Sequence, residues 1–202
     1  MKINEIQGFD PLPTDLQGWN GKSEIFNKLI EEIRPKRIVE IGSWKGQSTV
    51  TMAKACQQLG LNTQIQCIDT WLGAEEFYTM PNKERDLMKK WGYPNVYYQF
   101  LSNIINEGVV EMIEPITVPS SIGVYLASNA EMVYIDGSHS YTDVLEDIKN
   151  MWPKTKLGGV MFGDDYRNGA FPGVKRAVDE FAKLFELEVE VYDNWYWIIR
   201  KK

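Results

Sequence analysis

RIVEIGSWKGQSTVTMAKACQQLG, Arg37–Gly60, changes its hydrophobic rhythm in mid-course. RIVEIG is a short β-branched run ending at glycine, which reads as a buried strand. QSTVTMAKACQQLG has helical spacing and stops at Gly60, a common C-terminal signal. The joint between them, EIGSWKGQST (Glu40–Thr49), holds Gly42 and Gly46. Glycines here let the backbone turn tightly and approach a ligand. The helix start beyond them offers free N–H groups and the positive end of a dipole.

The same alternation extends in both directions. SEIFNKLIEEI (Ser23–Ile33) reads as a helix with Ser23 as N-cap. TQIQCID (Thr63–Asp69) reads as a second strand. NKERDLMKKWG (Asn82–Gly92) is expected as an amphipathic helix, and VYYQFLSNIINEG as another. EPITVPSS (Glu114–Ser121) contains a short third strand, AEMVYID a fourth and GGVMFGDD (Gly158–Asp165) a fifth. The helix SYTDVLEDIKNMW lies between the last two. PGVKRAVDEFAKLF (Pro172–Phe185) is a helix opened by proline. LEVEVYDNWYWIIR closes the chain as two strands around a two-residue connection, Asp193-Asn194. Strands alternating with helices mean a mostly parallel sheet of seven strands, with helices on both faces and an antiparallel C-terminal hairpin. In such sheets ligands bind beyond the carboxyl ends of the strands. That rule points at Gly42, Asp69, Ser120, Asp136 and Asp164.

The 202 residues suit one domain, 23–202, preceded by an N-terminal extension, 1–22. A net charge of −6 with scattered positives argues against a nucleic-acid or anionic-membrane binder. Cys56 and Cys67 have no metal spacing and read as buried thiols, which fits a reducing compartment. No apolar run spans a bilayer, and the polar, proline-broken N-terminus does not read as a signal peptide. A cytoplasmic protein is the expectation.

The glycine loop discriminates between ligands. A dinucleotide fingerprint needs two further glycines, and those slots hold Trp44 and Gln47. No Gly-Lys-Ser/Thr follows, so a Walker loop is excluded. Glu40 precedes the loop, and Asp69 ends the second strand, where a carboxylate can accept both hydroxyls of a ribose. A nucleoside with a small carboxylate-bearing tail fits better than a pyrophosphate.

Asp136 ends strand four, and Asp164 and Asp165 end strand five. Carboxylates crowded in a cleft repel one another unless a cation compensates. All-oxygen donors suit Mg²⁺, Mn²⁺ or Ca²⁺. The plainer alternative is capping and turn formation with no metal. His139, the only histidine, follows Asp136 by three residues. It is either a helix cap or a general base for a substrate hydroxyl, which a divalent ion would acidify. Asp143 and Asp147 are expected to face solvent or a neighbouring helix. Tyr166 and Arg167 read either as substrate contacts or as ordinary loop polarity, and Trp195, Tyr196 and Trp197 as packing or subunit-contact residues.

VEIGSWKGQSTVTMA resembles the first motif of the class I S-adenosylmethionine-dependent methyltransferases. IDTWLG, YYQFLSNII, PITVPSS, IDGSHSY, LGGVMFGDDY and PGVKRAVDEF resemble a subgroup that includes small-molecule O-methyltransferases, macrolide-sugar methyltransferases and cephalosporin-hydroxylase-like proteins. The resemblance runs from about Glu24 to the C-terminus; the first twenty residues and Leu72–Lys83 carry none. It implies a Rossmann-like methyltransferase sheet. It implies that Glu40, Gly42, Ser43 and Gly46 line the methionine end of S-adenosylmethionine. Asp69 would hold its ribose with Thr70 and Trp71 nearby, and Ser120 or Ser121 would lie near the adenine. It implies Asp136 as metal ligand or as partner of the sulfonium or amino end, Mg²⁺ or another divalent cation at Asp136, Asp164 and Asp165, and His139 as base. A small-molecule acceptor, such as a sugar or secondary metabolite, and an oligomer also follow from it. The alternatives are an oxygen-dependent hydroxylase-like protein and a non-catalytic cofactor-binding module. One histidine gives no 2-His-1-carboxylate set for the former.

Overall fold

A computed structural model describes residues 8–202 of the chain; the first seven residues of the N-terminal extension lie outside the described residues. The element order is α1 (Glu24–Ile33), β1 (Arg37–Ile41), α2 (Gln47–Gln58), β2 (Gln64–Ile68), α3 (Glu76–Thr79), α4 (Val96–Asn106), β3 (Ile113–Ile116), α5 (Ser120–Leu126), β4 (Ala130–Ile135), α6 (Tyr141–Met151), β5 (Thr155–Gly163), α7 (Pro172–Leu184), β6 (Glu190–Tyr192) and β7 (Tyr196–Arg200). The seven strands form one sheet in the order β3-β2-β1-β4-β5-β7-β6. β1 to β5 pair in parallel, and β7 runs antiparallel to both β5 and β6.

Side-chain alternation along the strands sorts the core into two layers. Ile38, Ile65, Cys67, Met132, Tyr134, Phe162 and Ile198 pack under α1, α2 and α4. Val39, Ile41, Ile68, Val133, Ile135, Met161 and Trp197 pack under α5, α6 and α7. Phe26 of α1 shows how tight the first layer is, meeting Tyr134, Phe162 and Tyr196 edge-on at centroid distances of 5.1–6.0 Å. Both cysteines are buried free thiols. Among the described residues no helix is long and apolar enough to cross a membrane.

Three local expectations change. Asn82–Gly92 is not one helix. A 3₁₀ turn, Lys83–Leu87, is followed by a tight turn in which Lys90 and Tyr93 exchange backbone hydrogen bonds across Trp91-Gly92. Both turn residues have positive φ, a geometry glycine favours, and it overrides the helical spacing. The last hairpin has a three-residue connection, because Tyr192 pairs with Tyr196 and Trp195 N–H donates to the Tyr192 carbonyl. The short helix α3 stands in the loop Leu72–Lys83, and α5 in a segment to which no helix was assigned.

Hydrogen bonding continues one step past the strands. Gly42 N–H donates to the Ile68 carbonyl, Asp69 N–H to Ile116 and Asp136 N–H to Ile41. The loops after β1, β2, β4 and β5 therefore start level with one another, at the same sheet edge.

Candidate functional site

A cavity of about 540 Å³ opens at that edge. Its floor is the loop after β1. Gly42 has φ +84°, and a Cβ there would collide with the carbonyl oxygen of Asp136, so only glycine fits between the ends of β1 and β4. Gly46, at φ +85°, starts α2 beneath the cavity rather than in its wall.

Two carboxylates hold this loop from opposite sides. Glu40 is fully buried below it and accepts from Ser43 Oγ (2.6 Å), Ser48 Oγ (2.5 Å) and Thr49 Oγ1. Burial pushes its pKa up against these stabilising donors. Glu40 is thus a latch for the loop and does not line the cavity. Asp69 does line it. Its Oδ2 accepts the amides of Ser43 (2.9 Å) and Trp44 (2.8 Å), and its Oδ1 accepts that of Trp71 (2.7 Å). Burial outweighs these bonds and raises its pKa. A carboxylate has about four lone-pair sites, so three amides leave room for one further donor rather than the two hydroxyls of a ribose.

His139 lies in the loop between β4 and α6, its ring stacked on Phe171 at 3.9 Å. Nε2 is 3.1 Å from Asp165 Oδ2, and Nδ1 is 3.2 Å from Glu76 Oε1. The Nδ1 contact lies off the N–H direction, so it is an ion pair without an aligned hydrogen bond. Burial alone would lower this histidine's pKa. Asp165, Glu76 and Asp136 outweigh burial and push it up to about 10. At neutral pH His139 is an imidazolium between carboxylates. Glu76 is correspondingly held low by His139.

Asp136 faces the cavity with Oδ2 accepting from the buried Tyr134 hydroxyl at 2.9 Å. Burial, then the charges of Asp164 and Asp165, raise its pKa well above the carboxylate range. Burial also raises Asp164, to about 6. Asp136, His139 and Asp165 each present one ligand atom within 4.8 Å of the others, a spacing that a single cation can bridge. The expected trio of Asp136, Asp164 and Asp165 thus changes in one member. Asp165 sits at φ +60°, which turns the two adjacent side chains apart. Asp164 accepts instead from Asn20 Nδ2 (3.0 Å) and from the Asp165 amide (2.7 Å).

The remaining walls come from segments that the sequence left unassigned. Residues 12–20 form a strap across α4. Asn103, fully buried, donates to the carbonyls of both Asp15 and Lys45 and accepts from the Asp15 amide. Ser102 and Gln99 bind the strap at Leu12 and Pro13. It delivers Trp19 and Asn20 to the cavity. The only sequence signal was the polar run in α4, Gln99 and Ser102-Asn103, on a helix face that apolar residues usually fill. α3 and the turn after it supply Glu76, Phe77 and Lys83.

Other named residues fall in place around these. Thr70 and Ser120 line the cavity; Ser121 is exposed outside it. Trp71 is buried, donates its indole N–H to the Trp44 carbonyl at 2.8 Å and packs on Tyr97 and Phe100. Tyr166 bonds Asp179, Arg167 bonds Asn194, and neither reaches the cavity, whereas Trp195 does. Asp147 is 3% exposed against Ser120, and burial raises its pKa to about 7.

The family model described as "Methyltransferase domain" matches residues 39–166. The uncharacterized protein y4gI of Sinorhizobium fredii is 28% identical over 139 residues, 68% of this chain; the chain spans only 14% of that relative's length. Among solved structures, cofactor-bound Rv0187 from MTB superposes with a TM-score of 0.68 at 14% identity, covering 99% of this chain and 88% of that one. The O-methyltransferase TomG from Streptomyces achromogenes, solved with SAM, superposes with a TM-score of 0.66 at 15% identity, covering 98% and 86%. At those identities the superpositions establish the shared fold. The family match itself runs from within β1 through the acidic end of β5, the stretch that builds the cavity floor, and the chain belongs to the methyltransferase-domain family.

Proposed function

We propose that this protein is an S-adenosylmethionine-dependent O-methyltransferase of the cytoplasm, acting on a small hydroxylated molecule such as a sugar or secondary metabolite, with a divalent cation and His139 as general base. The observation that carries the reading is one cavity with a nucleoside-type floor, Gly42, Ser43 and Asp69, facing an acid–histidine cluster, Asp136, His139 and Asp165. The cofactor's methionine end would lie over Gly42 with its cationic groups toward Asp136. Asp69 would take one ribose hydroxyl on its free lone pair, and Ser120 would border the adenine. TomG, similar in fold, is described as an O-methyltransferase in complex with SAM.

The reaction is an in-line displacement. An acceptor oxygen attacks the methyl carbon, the carbon–sulfur bond breaks, and the neutral thioether leaves. His139 receives the hydroxyl proton at Nε2, the nitrogen now facing Asp165. To do so the ring must first be neutral, and the three nearby carboxylates oppose that. The carboxylates of Asp136 and Asp165 would hold a divalent cation, which when bound would acidify the acceptor hydroxyl and offset the carboxylate charge, leaving the His139 nitrogen to take the proton. The cavity walls hold oxygen, carbon and sulfur in line, which supplies most of the acceleration.

The test is transfer of labelled methyl from S-adenosylmethionine to a panel of hydroxylated small molecules, with Mg²⁺ and with EDTA. His139→Ala is expected to bind the cofactor as the wild type does and to lose about 10²–10⁴-fold in turnover. Wild-type turnover in that variant contradicts the base role.

A further inference from the structure

One wall of the cavity, beside the glycine loop, is aromatic and carries one cation. Trp44 and Phe77 stack at 4.4 Å, and Trp19 lies 6.2 Å and 6.1 Å from them. Lys83 Nζ sits 4.4 Å from the Trp19 ring centre and 5.3 Å from that of Phe77. All four residues line the cavity. Among the described residues, the acids that line it are Asp69, Glu76, Asp136, Asp164 and Asp165, and the only other cationic side chain is His139, already paired on both nitrogens. Among the described residues no carboxylate lies within ion-pairing distance of Lys83, although nine other ammonium, guanidinium or imidazole contacts to carboxylates do form. An ammonium held over ring faces inside a cavity, without a counter-ion, marks a place for an anion beside a flat group. Glu76 links this wall to the chemistry, since it contacts His139 and also feels the charge of Lys83.

Resting on the methyltransferase reading, we infer that the acceptor is a small ring bearing an anionic group. Its ring lies against Trp19 and Phe77, its anion pairs with Lys83, and its hydroxyl points toward His139. The strap that brings Trp19 lies before residue 39, outside the stretch the family model matches, as expected where acceptor choice is encoded apart from cofactor binding.

The test is binding of three probes, benzoate, phenyl phosphate and benzyl alcohol, to the full chain, both cofactor-free and loaded with S-adenosylhomocysteine, followed by tryptophan fluorescence and calorimetry. One or both anionic probes should bind about tenfold or more tightly than benzyl alcohol. Which anion is favoured separates a carboxylate from a phosphate acceptor. Lys83→Met should abolish the preference and Lys83→Arg should retain it, with S-adenosylhomocysteine binding unchanged in both. Equal affinity for all three probes, no binding of either anion, or a preference that survives Lys83→Met overturns the inference. Failure of S-adenosylhomocysteine to bind counts against the methyltransferase reading instead, and the anion preference of the cofactor-free protein still decides the inference.

Discussion

Replacing Glu76 with Gln removes one of the two carboxylates in contact with His139 while keeping the side chain's size. In the wild type, Asp165 and Glu76 hold the imidazole pKa at about 10. An opposite charge at this range typically moves a pKa by about 1–3. The His139 midpoint in the variant should then fall to between roughly 7 and 9. At pH 7.5 the neutral fraction rises from roughly 0.3% to between roughly 3% and 75%. His139 is the only histidine in the chain, so its imidazole resonances can be followed by NMR without assignment ambiguity and without any substrate. The same displacement should appear in the rising limb of the pH–rate profile measured in EDTA. A wild-type midpoint near 6.5, or a Glu76→Gln midpoint equal to that of the wild type, would refute the account of how His139 is held.

Mg²⁺ added to the wild type should lower the His139 midpoint in the same NMR titration, because a cation against Asp136 and Asp165 offsets the charge that raises it; an unchanged midpoint at saturating Mg²⁺ argues against the cation site. In EDTA the protein should lose stability as pH rises from about 4 to 10. Asp164 and His139 both have folded pKa values raised above their unfolded ones, so the native state binds more protons, and stability is lost as each is passed, near pH 6 and near pH 10. Thermal midpoints that rise with pH across this range contradict that sign. Gly42→Ala should abolish cofactor binding and lower the melting temperature, since the new methyl meets the Asp136 carbonyl and strains a positive φ; wild-type binding would mean the two strand ends are not locked together. Asn103→Ala should cost about 2–5 kcal/mol in chemical denaturation, because it leaves the Asp15 and Lys45 carbonyls unpaired in a buried position.

Much of the sheet could be read from the chain because its strands carry strong local signals. RIVEI and AEMVYI are apolar, β-branched and cut off by Gly42 and by Asp136-Gly137, so both type and end were legible. Asn82–Gly92 was not, because amphipathic spacing and a Trp-Gly turn competed there and the turn prevailed. At the site, sequence order located the strand-end acids but not the directions of their side chains. That Asp165 rather than Asp164 joins Asp136 goes with a positive φ at a non-glycine residue, which no spacing rule reveals. The direction of Glu40 was hidden for a similar reason: it stands two residues before Gly42, and strand alternation turns it beneath the loop, among Ser43, Ser48 and Thr49. Asp143 and Asp147, one turn apart, read as facing solvent or a neighbouring helix, and the packing of α5 on α6 decides for the helix at Asp147, which it buries. Glu76, Trp19 and Lys83 reach the cavity through long-range contacts of the strap and α3, for which short-range patterns carry no information.

Calorimetric titration of S-adenosylmethionine into the full chain, in EDTA and then in Mg²⁺ with NAD as control, tests the central claim most directly. The account predicts one cofactor site in both conditions, lost in Gly42→Ala, and no heat from NAD. Absence of S-adenosylmethionine binding in both conditions, or binding that Gly42→Ala leaves intact, would contradict it.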